Sequence, residues 1–133
     1  MAAPKILVVD DEEDIAFSLA RRLSAEGYQV ICAEDGVEGL NRAHTEHPDL
    51  IVLDLMLPKM DGYKVCRLLK FDERHRSIPI IILSARGQQE DIALARETGA
   101  DFYMTKPFDP AALVDKVREL LGARHSTSDF DTA

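Results

Sequence analysis

Five short apolar runs punctuate this chain, at residues 6–9, 30–33, 50–53, 80–83 and 102–104, and stretches of helical spacing separate them. The first four runs are rich in Ile, Val and Leu and too short for helices, so they read as strands buried on both faces. The stretches between them read as amphipathic helices. Ile15, Leu19 and Leu23 recur every four residues before a stop at Gly27. Val37 and Leu40 open a second helix that must end before Pro48, and Asp61-Gly62 opens a third carrying Val65, Leu68 and Leu69. The fourth covers residues 89–98 and stops at Gly99. The fifth has Asp109 as N-cap and Pro110 at its first position, carries Leu113, Val114, Val117, Leu120 and Leu121, and stops at Gly122.

This alternation predicts an α/β domain over residues 1–122, a (βα)5 doubly wound parallel sheet of five strands. Right-handed crossovers restrict the topologies, and the flavodoxin-like order 2-1-3-4-5 leads them. Residues 123–133 hold Ser-Thr-Ser and scattered acids without an apolar period and read as a flexible C-terminal tail.

The ends of the runs carry the chemistry. Residues 6–9 lead into Asp10-Asp11, residues 50–53 into Asp54, and residues 102–104 through Thr105 into Lys106-Pro107. In the order 2-1-3-4-5 the first and third strands are neighbours, and ligands of open α/β sheets bind at the carboxyl ends of strands beside such a switch point. Three carboxylates and one ammonium then share a cleft. Two like charges ~4 Å apart repel by about 4 kcal/mol at an effective dielectric of 20, so the cluster calls for a cation. Oxygen ligands alone suit Mg2+. Glu12, Glu13 and Asp14 read instead as a solvated run favouring the N-terminus of the first helix.

A net charge of -8 argues against direct nucleic-acid binding, which needs clustered Lys and Arg. No apolar stretch approaches the ~20 residues of a membrane span, so no membrane role is expected. Cys32 and Cys66 lie in apolar patterns without a partner spacing, and read as buried, inert thiols in a reducing, cytoplasmic setting. His44 and His47 stand at i, i+3 with no evident third ligand, and read as surface residues; His75 falls in a polar loop.

Taken together, Val8-Val9-Asp10-Asp11, then Asp54-Leu55-Met56-Leu57-Pro58-Lys59-Met60-Asp61-Gly62, then Ser84-Ala85, then Lys106-Pro107-Phe108 resemble the receiver domain of bacterial response regulators, over residues 5 to about 122. The resemblance implies a phosphoprotein of two-component phosphorelay signal transduction. Asp54 would be the phosphoacceptor. Asp11, Asp54 and the backbone carbonyl of Met56 would bind Mg2+, with Asp10 joining through water. Ser84 would bind the phosphoryl group and Lys106 one of its oxygens, across a cis Lys106-Pro107 bond. Tyr103 would turn inward with Ser84 as a switch, and Ala85 would leave the acceptor accessible. Met56 and Arg86 would tune the lifetime of the aspartyl phosphate.

The implied protein is no enzyme but a phosphoacceptor that assists its own phosphorylation and dephosphorylation. Its donor would be a sensor histidine kinase or phosphotransfer protein. The face of the fourth helix, fifth strand and fifth helix would engage a downstream protein target or output domain, and a phosphorylation-dependent homodimer stays open. A stand-alone receiver is favoured, with the receiver portion of a longer regulator as the alternative. An aspartyl-phosphate phosphohydrolase would want a second acid at Met56. A flavodoxin would want a Gly/Ser/Thr-rich phosphate loop where this chain has Asp-Asp-Glu-Glu-Asp.

Overall fold

The computed structural model describes residues 3–122 and 131–132. The strands β1 (Lys5–Val9), β2 (Gln29–Ala33), β3 (Leu50–Asp54), β4 (Ile80–Ser84) and β5 (Phe102–Thr105) form one parallel sheet in the order 2-1-3-4-5. Between them run the helices α1 (Glu13–Ala25), α2 (Gly36–Glu46), α3 (Gly62–Lys70) and α4 (Gln89–Glu97), with α5 (Pro110–Gly122) after β5. A two-residue strand β6 (Asp131–Thr132) pairs in parallel with β5, which makes the sheet six-stranded. Its sequence carries no apolar period, so nothing in the residues announced it. The rest of the expected tail, residues 123–130 and 133, lies outside the described residues.

Side chains alternate between the two faces of the sheet, and the core divides accordingly. Leu7, Val9, Ile51, Leu53, Ile80 and Ile82 pack on one side with Val65, Cys66 and Leu69 of α3. Ile6, Val8, Leu50, Val52, Ile81 and Leu83 pack on the other with Leu19 and Leu23 of α1 and Leu113, Val114 and Val117 of α5. That two-sided burial is why β1, β3 and β4 read as near-continuous apolar runs. Strand β2 stands at the sheet edge and is less covered, and there the expectation for Cys32 fails: its side chain is exposed, while Cys66 is buried. The third helix also differs in detail, because Leu68 faces outward and Cys66 takes the inward position.

The helix ends follow local chemistry. Asp35 and Asp61 cap α2 and α3 by accepting from the backbone N–H of Glu38 and Lys64 at 2.8 and 3.0 Å. Asp109 accepts from Ala111 N at 3.0 Å at the start of α5. Gly27 and Gly99, at φ 96° and 93°, take the left-handed turn after α1 and α4.

Candidate functional site

Strand register assembles the site. Val9 pairs with Leu53, so Asp10 and Asp54, the next residues, emerge side by side at the carboxyl edge. Ser84 pairs with Thr105, which brings Lys106 to the same rim, and Lys106 N donates to the Ser84 carbonyl at 2.7 Å. The Lys106-Pro107 bond is cis. Beneath Asp54, Gly62 opens α3 so closely that a Cβ on it would stand 2.2 Å from the Asp54 carbonyl oxygen.

The Lys106 ammonium sits among three carboxylates. It donates to Asp10 Oδ2 at 3.0 Å, Glu12 Oε1 at 2.9 Å and Asp54 Oδ2 at 3.2 Å. Asp10 and Asp54 are each only 4% exposed. Burial pushes the Asp54 carboxyl above its ordinary range; Lys106 opposes that rise and Asp10 adds to it. Burial disfavours the Lys106 ammonium, but its hydrogen bonds to Glu12 and Asp10 prevail and hold its pKa above the ordinary lysine value.

Asp10, Glu12 and Asp54 each bring one oxygen within 4.8 Å of the others. The donor set contains oxygen alone, with no imidazole or thiolate, and fits a hard cation such as Mg2+. Asp11, beside Asp10, is exposed and outside that trio. The sequence alone places Glu12 in a solvated run. Its reach to Lys106 spans 94 positions along the chain, a contact no local pattern announces.

The loop after β4 forms the far side of the cleft. Ser84 is buried, and its Oγ accepts from Arg86 N at 3.2 Å. Tyr103 is fully buried, and its hydroxyl donates to the Arg86 carbonyl. The Arg86 guanidinium pairs with Asp91 at 3.0 Å and lies 3.7 Å from Met56 Sδ. Met56 is 58% exposed, and its backbone N–H donates to Asp54 Oδ1 at 3.3 Å. Ser84, Arg86 and Tyr103 thus form one connected group, and Met56 links it to Asp54. Tyr63, which the sequence reading passed over, joins through Asp91. Its hydroxyl donates to the Asp91 carbonyl at 3.2 Å, and burial pushes its pKa up to about 12.

Comparison with known proteins gives a consistent picture. Residues 6–118 match the family model of the response regulator receiver domain. The alkaline phosphatase synthesis transcriptional regulatory protein PhoP of Bacillus subtilis is 50% identical over 117 residues, which cover 88% of this chain and 48% of that protein. The DNA-binding dual master transcriptional regulator RpaA of Synechocystis is 46% identical over 118 residues, covering 89% and 49%. The chain therefore spans about half the length of these curated relatives. Among solved structures, the signal receiver domain of a signal transduction histidine kinase from Syntrophus aciditrophicus aligns with a TM-score of 0.87 at 35% identity, covering 98% of this chain and 99% of that one. The BeF3-activated DrrB receiver domain aligns at 0.83 and 34% identity, over 90% and 98%.

Proposed function

The chain belongs to the response regulator receiver family, and from that premise we propose that it accepts a phosphoryl group on Asp54 from a histidine kinase or phosphotransfer protein. The observation that carries this reading is the meeting of Asp54 with Asp10 and Lys106 at the carboxyl edge of the sheet, 3.2 Å separating Lys106 Nζ from Asp54 Oδ2.

Asp11, Asp54 and the Met56 backbone carbonyl would hold Mg2+, with Asp10 joining through water; Glu12, bound to Lys106, stays outside that set. Bound there, Mg2+ supplies positive charge to the carboxylates and to the phosphoryl oxygens. Asp54 is the nucleophile. Its carboxylate oxygen bonds to the phosphorus of a phosphohistidine while the phosphorus–nitrogen bond breaks, and the imidazole leaves with that electron pair and takes up a proton. Lys106 holds an oxygen of the transferred group, so that positioning and electrostatics do most of the work. Its three present partners are all acidic, which suits the lysine to exchange a carboxylate for a phosphoryl oxygen.

The new charge and acceptor oxygens recruit the Ser84 hydroxyl. Ser84 Oγ holds Arg86 N, and Tyr103 holds the Arg86 carbonyl. Withdrawal of Ser84 toward the phosphoryl group alters the loop at Arg86. That is the local bias a two-state element needs to change the surface of α4, β5 and α5. The surface then engages a downstream protein or an output domain, in the cytoplasm.

The half-length match to PhoP and RpaA favours the second form of this reading, a receiver joined to an output domain within a longer regulator. The length of the natural reading frame decides between the two. Sizing with and without beryllofluoride tests for a phosphorylation-dependent dimer.

Incubation with acetyl phosphate and Mg2+ should add one phosphoryl group per chain, and chelation of Mg2+ should prevent it. No uptake, or uptake indifferent to the chelator, contradicts the reading.

A further inference from the structure

Away from the carboxyl edge, three imidazoles and a carboxylate gather where the end of α2 meets the turn after α3. His44 lies in the last turn of α2 and His47 is its C-cap, at φ 48°. Asp72 and His75 come from the turn that follows α3, whose backbone is fixed by bonds from His75 N and Arg76 N to the Asp72 carbonyl at 3.0 and 2.9 Å. The sequence placed His75 in a polar loop, yet it is only 1% exposed. Its Nδ1 lies 3.0 Å from Asp72 Oδ2, and its Nε2 is the single buried side-chain nitrogen or oxygen without a partner among the described residues.

An orphaned buried polar atom is costly and calls for an explanation. The tautomer sets the chemistry of the pair: with the proton on Nε2, the Nδ1 lone pair faces the Asp72 carboxylate oxygen, and a cation between them joins the two as ligands. His44 Nε2 stands 3.8 Å from the same Asp72 oxygen, and the His44 and His75 ring centroids are 4.7 Å apart. The His47 ring stacks parallel to His75 at 5.9 Å.

We propose that His44, Asp72 and His75 form a transition-metal site of the zinc class that clamps the end of α2 to the turn after α3. One ligand atom from each lies within 4.8 Å of the others. Ligands ~2.1 Å from a tetrahedral Zn2+ stand about 3.4 Å apart, and the 3.0 Å from His75 Nδ1 and the 3.8 Å from His44 Nε2 to Asp72 Oδ2 lie on either side of that spacing, so His44 must close in. His44 is 40% exposed and free to do so. Two imidazoles and one carboxylate select Zn2+, Co2+ or Ni2+ over Mg2+. The C-terminal dipole of α2 favours a cation there. Water or His47 completes the shell. The Arg74 guanidinium, 3.3 Å from Asp72 Oδ2, competes for that carboxylate; it is 77% exposed and leaves as the metal enters.

The test uses the untagged chain in excess Mg2+, which occupies the acidic cleft. Zn2+ is titrated against a chromophoric chelator, and Co2+ is followed by its visible absorption. The wild type should take up one Zn2+ and give the intense bands of tetrahedral Co2+. His44→Gln, a change at a half-exposed position, should weaken binding by at least about tenfold, since even partners outside the ligand shell cost that much. Cys32→Ser should leave binding intact. Zn2+ should also raise the Tm of the wild type more than that of His44→Gln. No uptake, equal uptake by His44→Gln, or loss in Cys32→Ser overturns the proposal.

Discussion

The Lys106 ammonium stands 3.2 Å from Asp54 Oδ2, and the two residues reach each other from the ends of β5 and β3, with β4 between them. The same nitrogen binds Asp10 and Glu12, so one cation serves three acids. Lys106→Ala leaves the two buried carboxylates without that partner. Because the cleft opens to water at Glu12, the expected loss of stability is about 2–3 kcal/mol rather than the full cost of a severed interior pair. Added Mg2+ should restore more stability to this variant than to the wild type. Urea unfolding with and without Mg2+ checks both; an equal Mg2+ effect on the two proteins contradicts the account.

Gly62 is required by space rather than by conformation. A Cβ there would press on the Asp54 carbonyl at 2.2 Å and on the Leu55 Cα at 2.8 Å, both backbone atoms that cannot swing aside. Gly62→Ala should therefore destabilise the fold by about 1–3 kcal/mol, as overpacking does, and slow phosphoryl uptake by displacing Asp54. Denaturant unfolding together with the acetyl phosphate reaction measures the two effects.

The acidic cleft was legible in the sequence because buried parallel strands announce themselves, and the residue after each strand must fall on the carboxyl edge. Asp10, Asp54 and Lys106 follow from that rule. Glu12 does not, because its contact depends on where α1 begins relative to a lysine far along the chain. His75 was equally hidden: a polar loop can fold a histidine inward, and only the turn geometry at Asp72 shows that it has. The expectation for Cys32 fails because an apolar run suggests burial on both faces, whereas the expected order itself puts the second strand at the sheet edge, where one side chain lies open.

Cys66 gives the alkaline behaviour a specific source. Its thiol is buried against the Thr98 carbonyl, and burial pushes its pKa from 9.0 up to about 11. The folded chain thus holds this proton more tightly than the unfolded chain does. Above pH 9 the unfolded form gains a thiolate that the folded form lacks, so stability falls as pH rises from 9 toward 11. In a Cys32→Ser background, the alkaline loss should be steeper with Cys66 than with Cys66→Ala, as read from urea midpoints across that range. Parallel curves contradict it.

Met56, two residues after Asp54, is 58% exposed and carries its apolar side chain beside the Arg86 guanidinium. It offers no hydrogen bond to orient an attacking water. Met56→Asn supplies such a group and should shorten the phosphoryl lifetime severalfold, measured as decay of the phosphorylated protein after donor removal. An unchanged decay rate sinks this role for Met56.

Asp54 as the acceptor is tested by the intact mass of wild type and Asp54→Asn after incubation with Mg2+ and acetyl phosphate. The amide keeps the shape of the side chain but loses the nucleophilic carboxylate. The wild type should gain the mass of one phosphoryl group and Asp54→Asn none. Equal gains in the two proteins would place the phosphoryl group elsewhere and contradict the account.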